Sequence, residues 1–181
     1  MESYIIFEGS IDQEATLRLK QALIDNARTT ASTKITIFFS SLGGNIYEGF
    51  VLASIIQNSK IPIAIHAVNH IDSIANVIFL AASERTCESY AKFYLHGATA
   101  GSNNYDEKGL LDALSSLRTN NSRIAYYISE NSKLPLQKVK VMMKKGITIS
   151  AQDALKYNIV QSVTHKTIPM TVLRDEIIYI N

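Results

Sequence analysis

Two side chains of this sequence, Ser73 and His96, have the types and the placement that covalent catalysis by a serine requires. Ser73 follows a polar turn at residues 69–72 and precedes an apolar run, which places it at the first turn of a predicted helix. The unpaired N–H groups of that turn, those of Ser73 and Ile74, and the helix dipole favour negative charge. His96 ends the next predicted strand and is a candidate base. The alternative is that Ser73 is only a helix N-cap, which is the common role of a serine at this place.

A second feature that supports this chemistry is the turn Ser41-Leu42-Gly43-Gly44, which follows a predicted buried strand directly. Glycine permits the backbone conformations and the close approach that such a turn requires. The exposed N–H groups of the turn can hold an oxyanion. A plain strand-to-helix turn without a ligand explains the same residues equally well.

The remaining histidines are weaker candidates for a base. His66 lies inside an apolar run and is predicted to be a core or half-buried residue, whereas His165 lies in a polar C-terminal stretch. His70 is close to Ser73 in sequence, but no orienting acid is evident, so it ranks second to His96. The single cysteine, Cys87, has glutamates nearby that disfavour a thiolate, and a buried, inert thiol is predicted.

The sequence has no pattern of a metal or cofactor site. Its four histidines are scattered and it has one cysteine, which does not match the spacing of metal ligands. Gly43-Gly44 has neither the third glycine of a dinucleotide fingerprint nor the lysine of a phosphate loop. No metal and no cofactor are predicted.

The elements that must position these residues follow from hydrophobic periodicity. Short apolar, β-branched runs predict strands at residues 4–7, 34–39, 63–68 and 91–95. Apolar residues at helical spacing predict helices at residues 12–27, 45–58 and 73–82. This alternation is typical of an α/β protein with a parallel sheet covered by helices.

The second half of the chain is predicted to be mainly helical. A long amphipathic helix is predicted at residues 105–131, with its apolar stripe formed by Leu110, Leu114, Leu117, Ile124 and Ile128. Pro135 opens another helix that runs to about residue 145. Ser150 with Asp153 forms the cap of a short helix, and residues 159–163 are predicted to be a closing strand.

Length and composition limit the possible classes of protein. The chain has 181 residues, of which 46% are hydrophobic, enough for one sizeable core and one domain, residues 1–181. Lys and Arg number 18 and Asp and Glu 16, without a block of like charge, so a nucleic-acid partner is not expected. The chain has no apolar run near the roughly 20 residues that span a bilayer and no signal peptide. We expect a soluble, cytoplasmic protein without a membrane partner.

The ordered set of motifs resembles the proteolytic subunit of the Clp protease (ClpP) and its phage-type relatives, in the ClpP/crotonase superfamily. The resemblance covers nearly the whole chain, and the ordered set is far more specific than any single motif. Its segments are Ile5-Ile6-Phe7-Glu8-Gly9, Ser41-Leu42-Gly43-Gly44-Asn45, Ser73, Leu80-Ala81-Ala82 with Arg85, Leu95-His96, Ser150-Ala151-Gln152-Asp153-Ala154 and Tyr157-Asn158-Ile159-Val160.

The resemblance implies the ClpP/crotonase fold, with repeated β-β-α units in a superhelix and a protruding handle helix within residues 97–145. It implies a serine endopeptidase in which Ser73 is the nucleophile, His96 the base, and the N–H groups of Gly43 and Ile74 the oxyanion hole. Substrates are then peptides or unfolded proteins that bind as extended strands. The handle joins subunits into a homo-oligomer of heptameric rings.

Three departures from the family pattern change what the resemblance implies. The family's Gly-x-Ala-Ser approach to the nucleophile is here Asn69-His70-Ile71-Asp72-Ser73, which implies a reshaped pocket. The chain begins almost at its first strand and has little of the axial loop that contacts the family's AAA+ unfoldase, so the resemblance alone does not imply this partner. The third triad position falls on Gly146, where the family has an aspartate, and Asp153 is a capping residue instead.

Two further interpretations stay open beside the Ser73–His96 peptidase. The first is a catalytically weak or inactive ring subunit with a structural role, which Gly146 and the unusual Asp72 favour. The second is an acyl-CoA enzyme of the crotonase type, which shares the fold and a two-amide oxyanion hole. The crotonase alternative ranks last because it does not need a serine and a histidine at both family positions.

Overall fold

A computed structural model describes residues 2–28, 32–101, 106–169 and 177–180 of the protein. The first half contains β1 (Glu2–Glu8), α1 (Gln13–Arg28), β2 (Lys34–Ser41), α2 (Ile46–Gln57), β3 (Ile63–Asp72), α3 (Ala75–Leu80), β4 (Glu84–Cys87) and β5 (Lys92–Leu95). The second half contains α4 (Glu107–Glu130), α5 (Leu136–Lys145), β6 (Ile147–Ser150), α6 (Ala151–Lys156), β7 (Ser162–Val163) and β8 (Ile177–Ile180).

The described strands form one mainly parallel sheet in the order β6-β5-β3-β2-β1-β8, and β4 lies off this path between β3 and β7. All pairs are parallel except β5 with β6. The long strand β3 pairs with two strands in turn along one of its edges. Its first half lies beside β4, and its last three residues, His70 to Asp72, lie beside Lys92 to Tyr94 of β5. The carboxyl end of β3 is therefore held by β5, the strand that leads to His96.

The central strands are buried on both faces, which explains their apolar sequences without polar alternation. In β2 the side chains from Ile35 to Phe39 are all buried, and Phe39 packs against Phe7 of β1. Helix α1 covers the sheet with Ala15, Leu19, Ala22 and Leu23, the four residues at helical spacing. The predicted α/β architecture is confirmed, with the antiparallel pair β5–β6 as an addition at one edge.

Several element bounds differ from the prediction. The apolar run at residues 73–82 is helical only over Ala75–Leu80, because Ser73 adopts a left-handed backbone conformation that a helix does not contain. The predicted closing strand at residues 159–163 is reduced to Ser162–Val163. Strands β4, β6 and β8, of four residues each, were not predicted.

Helix α4 matches the predicted long amphipathic helix, although the predicted start at residue 105 lies outside the described residues. Its carboxyl half packs in the core through Ile124 and Ile128, whereas Leu110 and Leu114 of its amino half are 58% and 43% exposed. Helix α5 packs beside α4. None of the described helices has the length and apolarity that crossing a membrane requires.

Candidate active site

Ser73 lies in a strained turn between β3 and α3. Its φ angle is 57°, a left-handed conformation that typically costs a residue with a side chain about 1–2 kcal/mol. The turn is held because the Ser73 N–H donates to the Tyr94 carbonyl of β5 at 2.9 Å. Ser73 is not the N-cap of α3: the cap position is Ile74, and no side chain caps the helix. The strain at a half-exposed serine is typical of a functional turn.

Asn76 fastens this turn to the neighbouring strands, a role that the sequence did not suggest. Its side chain is 1% exposed, and its Nδ2 donates to the carbonyls of Ile71, Ser73 and Tyr94 at 2.9, 3.1 and 3.1 Å. A buried amide is stable only with such partners. The one available signal was an asparagine inside an otherwise apolar helix. Asn76 therefore keeps the serine turn and the His96 strand in one fixed arrangement.

The glycine turn lies directly against Ser73. Gly43 has a φ of 94°, and a Cβ atom there would be 2.6 Å from the Ser73 Cβ, so this position excludes any side chain. The Gly43 N–H donates to the buried Ser41 hydroxyl at 3.1 Å. The Ile74 N–H has no acceptor within the described part of the chain. Of the two candidate oxyanion donors, one is thus free and one is held by Ser41.

His96 follows the end of β5 and is oriented by its own loop. Its Nδ1 lies 2.8 Å from the Gly97 carbonyl oxygen. Because a carbonyl only accepts, Nδ1 carries the proton and Nε2 keeps its lone pair, which is the tautomer that a general base requires. The ring stacks on Tyr94 with centroids 4.9 Å apart. No hydrogen bond joins His96 to Ser73 among the described atoms, although the turn and the strand lie side by side.

Gly146 lies opposite His96 across the β5–β6 pair. Leu95 pairs with Ile147 as the last pair of the antiparallel register, and His96 and Gly146 are the residues that directly adjoin this pair. Gly146 ends α5 in a left-handed conformation, with φ 67°. A Cβ atom there would be 2.8 Å from the Tyr94 hydroxyl. Tyr94 therefore fills the space beside His96 that a third triad side chain at this position would enter.

Asp72 adds a carboxylate next to the serine. Its Oδ2 lies 3.5 Å from Nδ1 of His70, and its Oδ1 is buried without a partner. Burial raises the pKa of Asp72, and the charges and hydrogen bonds of His70, the Tyr94 backbone and His96 reduce this shift. An acid beside His70 was not evident from the sequence. The pair forms a second polar cluster at the carboxyl end of β3.

His66 and His165 are placed away from Ser73 and share one glutamate. His66 is fully buried, and its Nδ1 and Nε2 lie 2.8 Å from the Thr86 hydroxyl and 3.1 Å from Glu88 Oε1. His165 Nδ1 lies 2.9 Å from the same Glu88 oxygen. Burial lowers the pKa of His66 against the opposing effect of Glu88. The predicted buried position of His66 is confirmed.

Cys87 and Asp153 have the structural roles that the sequence predicted. Cys87 is fully buried, and burial, with the Glu88 charge, raises the pKa of its thiol to about 11. Asp153 lies in the first turn of α6, where its N–H donates to the hydroxyl of the N-cap residue Ser150 at 3.2 Å. Among the described residues no cluster of histidine, cysteine and carboxylate side chains is arranged to bind a metal.

Comparison with known proteins identifies the family. A family model described as Clp protease matches residues 1–167, so the chain belongs to the Clp protease family. The structure superimposes on a point mutant of ClpP1 from Listeria monocytogenes with a TM-score of 0.80, over 96% of this chain and 94% of that chain. The two sequences are 19% identical, so this match establishes the ClpP fold. A search of the curated proteins found no match.

Family membership confirms the resemblance inferred from the motifs. It makes the chain a ClpP-like peptidase or a ring subunit of that family, whose members form oligomeric rings. The roles of Ser73, His96, Gly43, Ile74 and Gly146 are separate questions, which depend on the chemistry of this particular site.

Proposed function

We propose that the protein is a serine endopeptidase in which Ser73 attacks the peptide carbonyl and His96 Nε2 accepts the serine proton. The observation that carries the proposal is the strained turn at Ser73. The turn is hydrogen-bonded to Tyr94 in the strand that leads to His96, and Gly43 packs directly against Ser73. Nucleophilic catalysis requires a serine and a base that can come within hydrogen-bond reach, and these two residues lie at the ends of hydrogen-bonded neighbouring segments. Hydrogen bonds between catalytic groups commonly tighten only when substrate binds.

The proposed reaction is acyl transfer. As Ser73 Oγ bonds to the carbonyl carbon, the negative charge on the carbonyl oxygen is stabilised by the N–H groups of Gly43 and Ile74. The Gly43 N–H must first exchange the Ser41 hydroxyl for this oxygen. His96 then returns its proton to the leaving amine, and water hydrolyses the acyl-enzyme by the reverse sequence.

In this proposal the Gly97 carbonyl takes over part of the role of the absent aspartate. A neutral carbonyl can fix the tautomer of His96, as a carboxylate does. It stabilises the imidazolium less than a carboxylate, because it has a partial charge only. We therefore propose slow turnover, with hydrolysis of small activated esters faster than that of folded proteins.

The subunits are proposed to form heptameric rings with the sites inside, in a reducing, cytoplasmic compartment where Cys87 remains a free thiol. Substrates are peptides or unfolded proteins. The family resemblance includes an AAA+ unfoldase as a partner, which would be needed for folded proteins. The hydrolysis of short peptides does not require it.

A fluorophosphonate probe tests the nucleophile directly. The wild-type protein should be labelled at Ser73, and Ser73→Ala should abolish labelling and lower peptide cleavage by about 10²-fold, because the wild type already lacks the triad acid and triad losses are not additive. Ser116→Ala, which changes an exposed serine of α4, should be labelled like the wild type. Circular dichroism establishes that the variants are folded. Labelling that survives in folded Ser73→Ala contradicts the assignment.

The second candidate function is a structural ring subunit without catalysis. The contact of the Gly43 N–H with Ser41 and the missing hydrogen bond between Ser73 and His96 favour it. A wild-type protein that assembles into rings but is not labelled by the probe supports this candidate and contradicts the peptidase.

A further inference from the structure

A cleft of about 500 Å³ opens beside the loop that orients His96. One wall is Gly97, the residue whose carbonyl contacts His96 Nδ1. The other walls come from α4 and α5, and Met143 contributes an apolar side chain that is 5% exposed. The cleft is therefore adjacent, along the chain and through this contact, to the candidate base His96.

The charged side chains that line the cleft are all cations: Arg118 from α4 and Lys140 and Lys144 from α5. No carboxylate of the described residues lies within 4 Å of any of the three. Other lysines of the protein do have carboxylate partners, as in the contacts of Lys34 and Lys166 with Glu84 at 2.6 and 2.8 Å. Like charges that face one another across a concave surface focus a positive potential into it.

Asn121 supplies further donors at the same place. Its Oδ1 accepts the Ala98 N–H at 2.7 Å, which fixes the orientation of the amide, since an N–H can only be accepted by the oxygen. The Nδ2 group, with two N–H bonds, has no acceptor among the described atoms. The cleft thus combines three positive charges with a fixed, unused amide donor, which is the donor set that a carboxylate prefers.

Exposed lysines on most proteins are simply solvated and bind no ligand. Two observations distinguish the cations of this cleft from such lysines. The charges converge on a concave space and do not spread over a convex helix face. Helix α5 has four lysines and no acidic residue in its ten positions, so no neighbour along the helix neutralises them. Such a surface is destabilised by its own repulsion until an anion binds.

We propose that this cleft is a specificity subsite that binds a carboxylate of the peptide substrate, either an aspartate or glutamate side chain or the free C-terminus. The inference rests on the proposed peptidase function, because it assigns the cleft to the substrate that Ser73 attacks. Arg118, Lys140 and Lys144 supply the charge, and Asn121 supplies the directed hydrogen bond.

Peptide binding to the Ser73→Ala protein tests the subsite without relying on cleavage. Fluorescence anisotropy is measured with amidated peptides that differ only by Glu, Gln or Lys at one position, and with a neutral peptide that has a free C-terminus. The Glu peptide should bind about tenfold more tightly than the Gln peptide in low salt, with the Lys peptide weakest. The difference should shrink as salt is added. Tighter binding of only the free C-terminus assigns the carboxylate to that source.

Charge variants locate the effect within the cleft. Arg118→Gln, Lys140→Gln and Lys144→Gln together should remove the preference for Glu over Gln. The control combines Lys133→Gln, Lys138→Gln and Lys145→Gln, which changes the net charge equally outside the cleft and should keep the preference. All six side chains are exposed, so both variants should fold.

Two results would overturn the inference. The first is that neither the Glu peptide nor the peptide with a free C-terminus binds more tightly than the amidated Gln peptide, or that both charge variants lose the preference equally. The second is a single-stranded oligonucleotide that displaces the peptides through the same three cations while Glu and Gln are not distinguished. Probe labelling of Ser73 in the wild type is measured separately, so failure of the peptidase proposal is distinguished from failure of the subsite.

Discussion

Tyr94 has two contacts that make it the central side chain of the candidate site. Its ring stacks on His96 at 4.9 Å, and its hydroxyl lies against Gly146, opposite the same histidine. A stacked ring limits the rotation of His96, while the Gly97 carbonyl sets its tautomer. The space normally taken by an orienting acid is thus taken by an aromatic side chain. Tyr94 therefore limits how far an aspartate introduced at position 146 can increase the rate.

Gly146→Asp alone should raise turnover little, because its Cβ would lie 2.8 Å from the Tyr94 hydroxyl and its backbone is left-handed. Adding Tyr94→Phe removes the hydroxyl, and the nearest ring carbons would be 3.5 Å from that Cβ. The double variant should hydrolyse an activated ester at least about tenfold faster than Gly146→Asp, since a carboxylate then supports the imidazolium. Initial rates on one ester substrate give the comparison.

Two controls accompany this test. Tyr94→Phe alone separates the effect of the lost hydroxyl from that of the acid, and Gly146→Ala measures the cost of a side chain at the left-handed position. If Gly146→Asp alone reaches the rate of the double variant, Tyr94 does not block the position, and the steric argument is wrong.

At the scale of elements, strand β3 takes part in two groups of polar contacts. One is the pair His70–Asp72 at its carboxyl end, and the other is His66 with Glu88 and His165. Its carboxyl end leads to Ser73, and its middle carries His66, which contacts Thr86 and Glu88 of the β4 region. His165 and Lys166 reach the same region through Glu88 and Glu84. The His70–Asp72 pair lies beside the candidate nucleophile, whereas the cluster of His66, Glu88 and His165 fastens the segment after β7 to the sheet.

The buried histidine of this cluster, His66, predicts that the folded protein loses stability in acid. Burial holds the pKa of His66 below 6.5, its ordinary value and the value expected in the unfolded chain. As the pH falls below 6.5, the unfolded state binds a proton that the folded state does not bind until lower pH. The free energy of unfolding should therefore fall by up to about 1.4 kcal/mol per pH unit. Denaturant titrations between pH 7 and about pH 5 measure this slope.

His66→Gln should flatten the slope, because glutamine does not titrate, even though it lowers stability at pH 7. His165→Gln is the matched control. His165 also contacts Glu88, but its side chain is 74% exposed, so the pH dependence of the free energy of unfolding should persist in this variant. A wild-type slope that His66→Gln leaves unchanged assigns the acid sensitivity to other groups.

At the scale of the whole molecule, the sequence predicted the order of the major elements and the family. Long periodic segments such as α1 and α4, and apolar strands such as β2, carry their burial pattern in their own residues. Strands β4, β6 and β8 have four residues each and are defined by their partners in the sheet. Short elements of this kind depend on tertiary pairing, which one sequence does not display.

The same division applies to the candidate site. Ser73, His96 and Gly43 could be recognised from the sequence because each lies in a turn or loop that directly follows a predicted strand. Tyr94 and Asn76 were not predicted, because their roles depend on contacts across strands that are distant along the chain. The Ser41 contact with Gly43 is local, but it depends on a side-chain rotamer that residue types alone do not determine.

The exposed part of α4 predicts self-association. Ile124 and Ile128 of the predicted stripe pack within their own subunit, whereas Leu110 and Leu114, with Leu111 at 61% exposure, have no cover in the described chain. Covering a leucine releases about 1.5–3 kcal/mol, so subunits should associate through this surface. Light scattering at micromolar concentration should give the mass of a ring.

Leu110→Glu with Leu114→Glu should reduce this mass, because four charges would be buried for every pair of helices that meet. Ser116→Glu with Thr119→Glu adds the same charge at exposed polar positions of α4 and should leave the ring intact. A monomeric wild-type protein contradicts the ring. A ring that survives both double variants places the subunit contact elsewhere on the molecule, and α4 is then free to contact another partner.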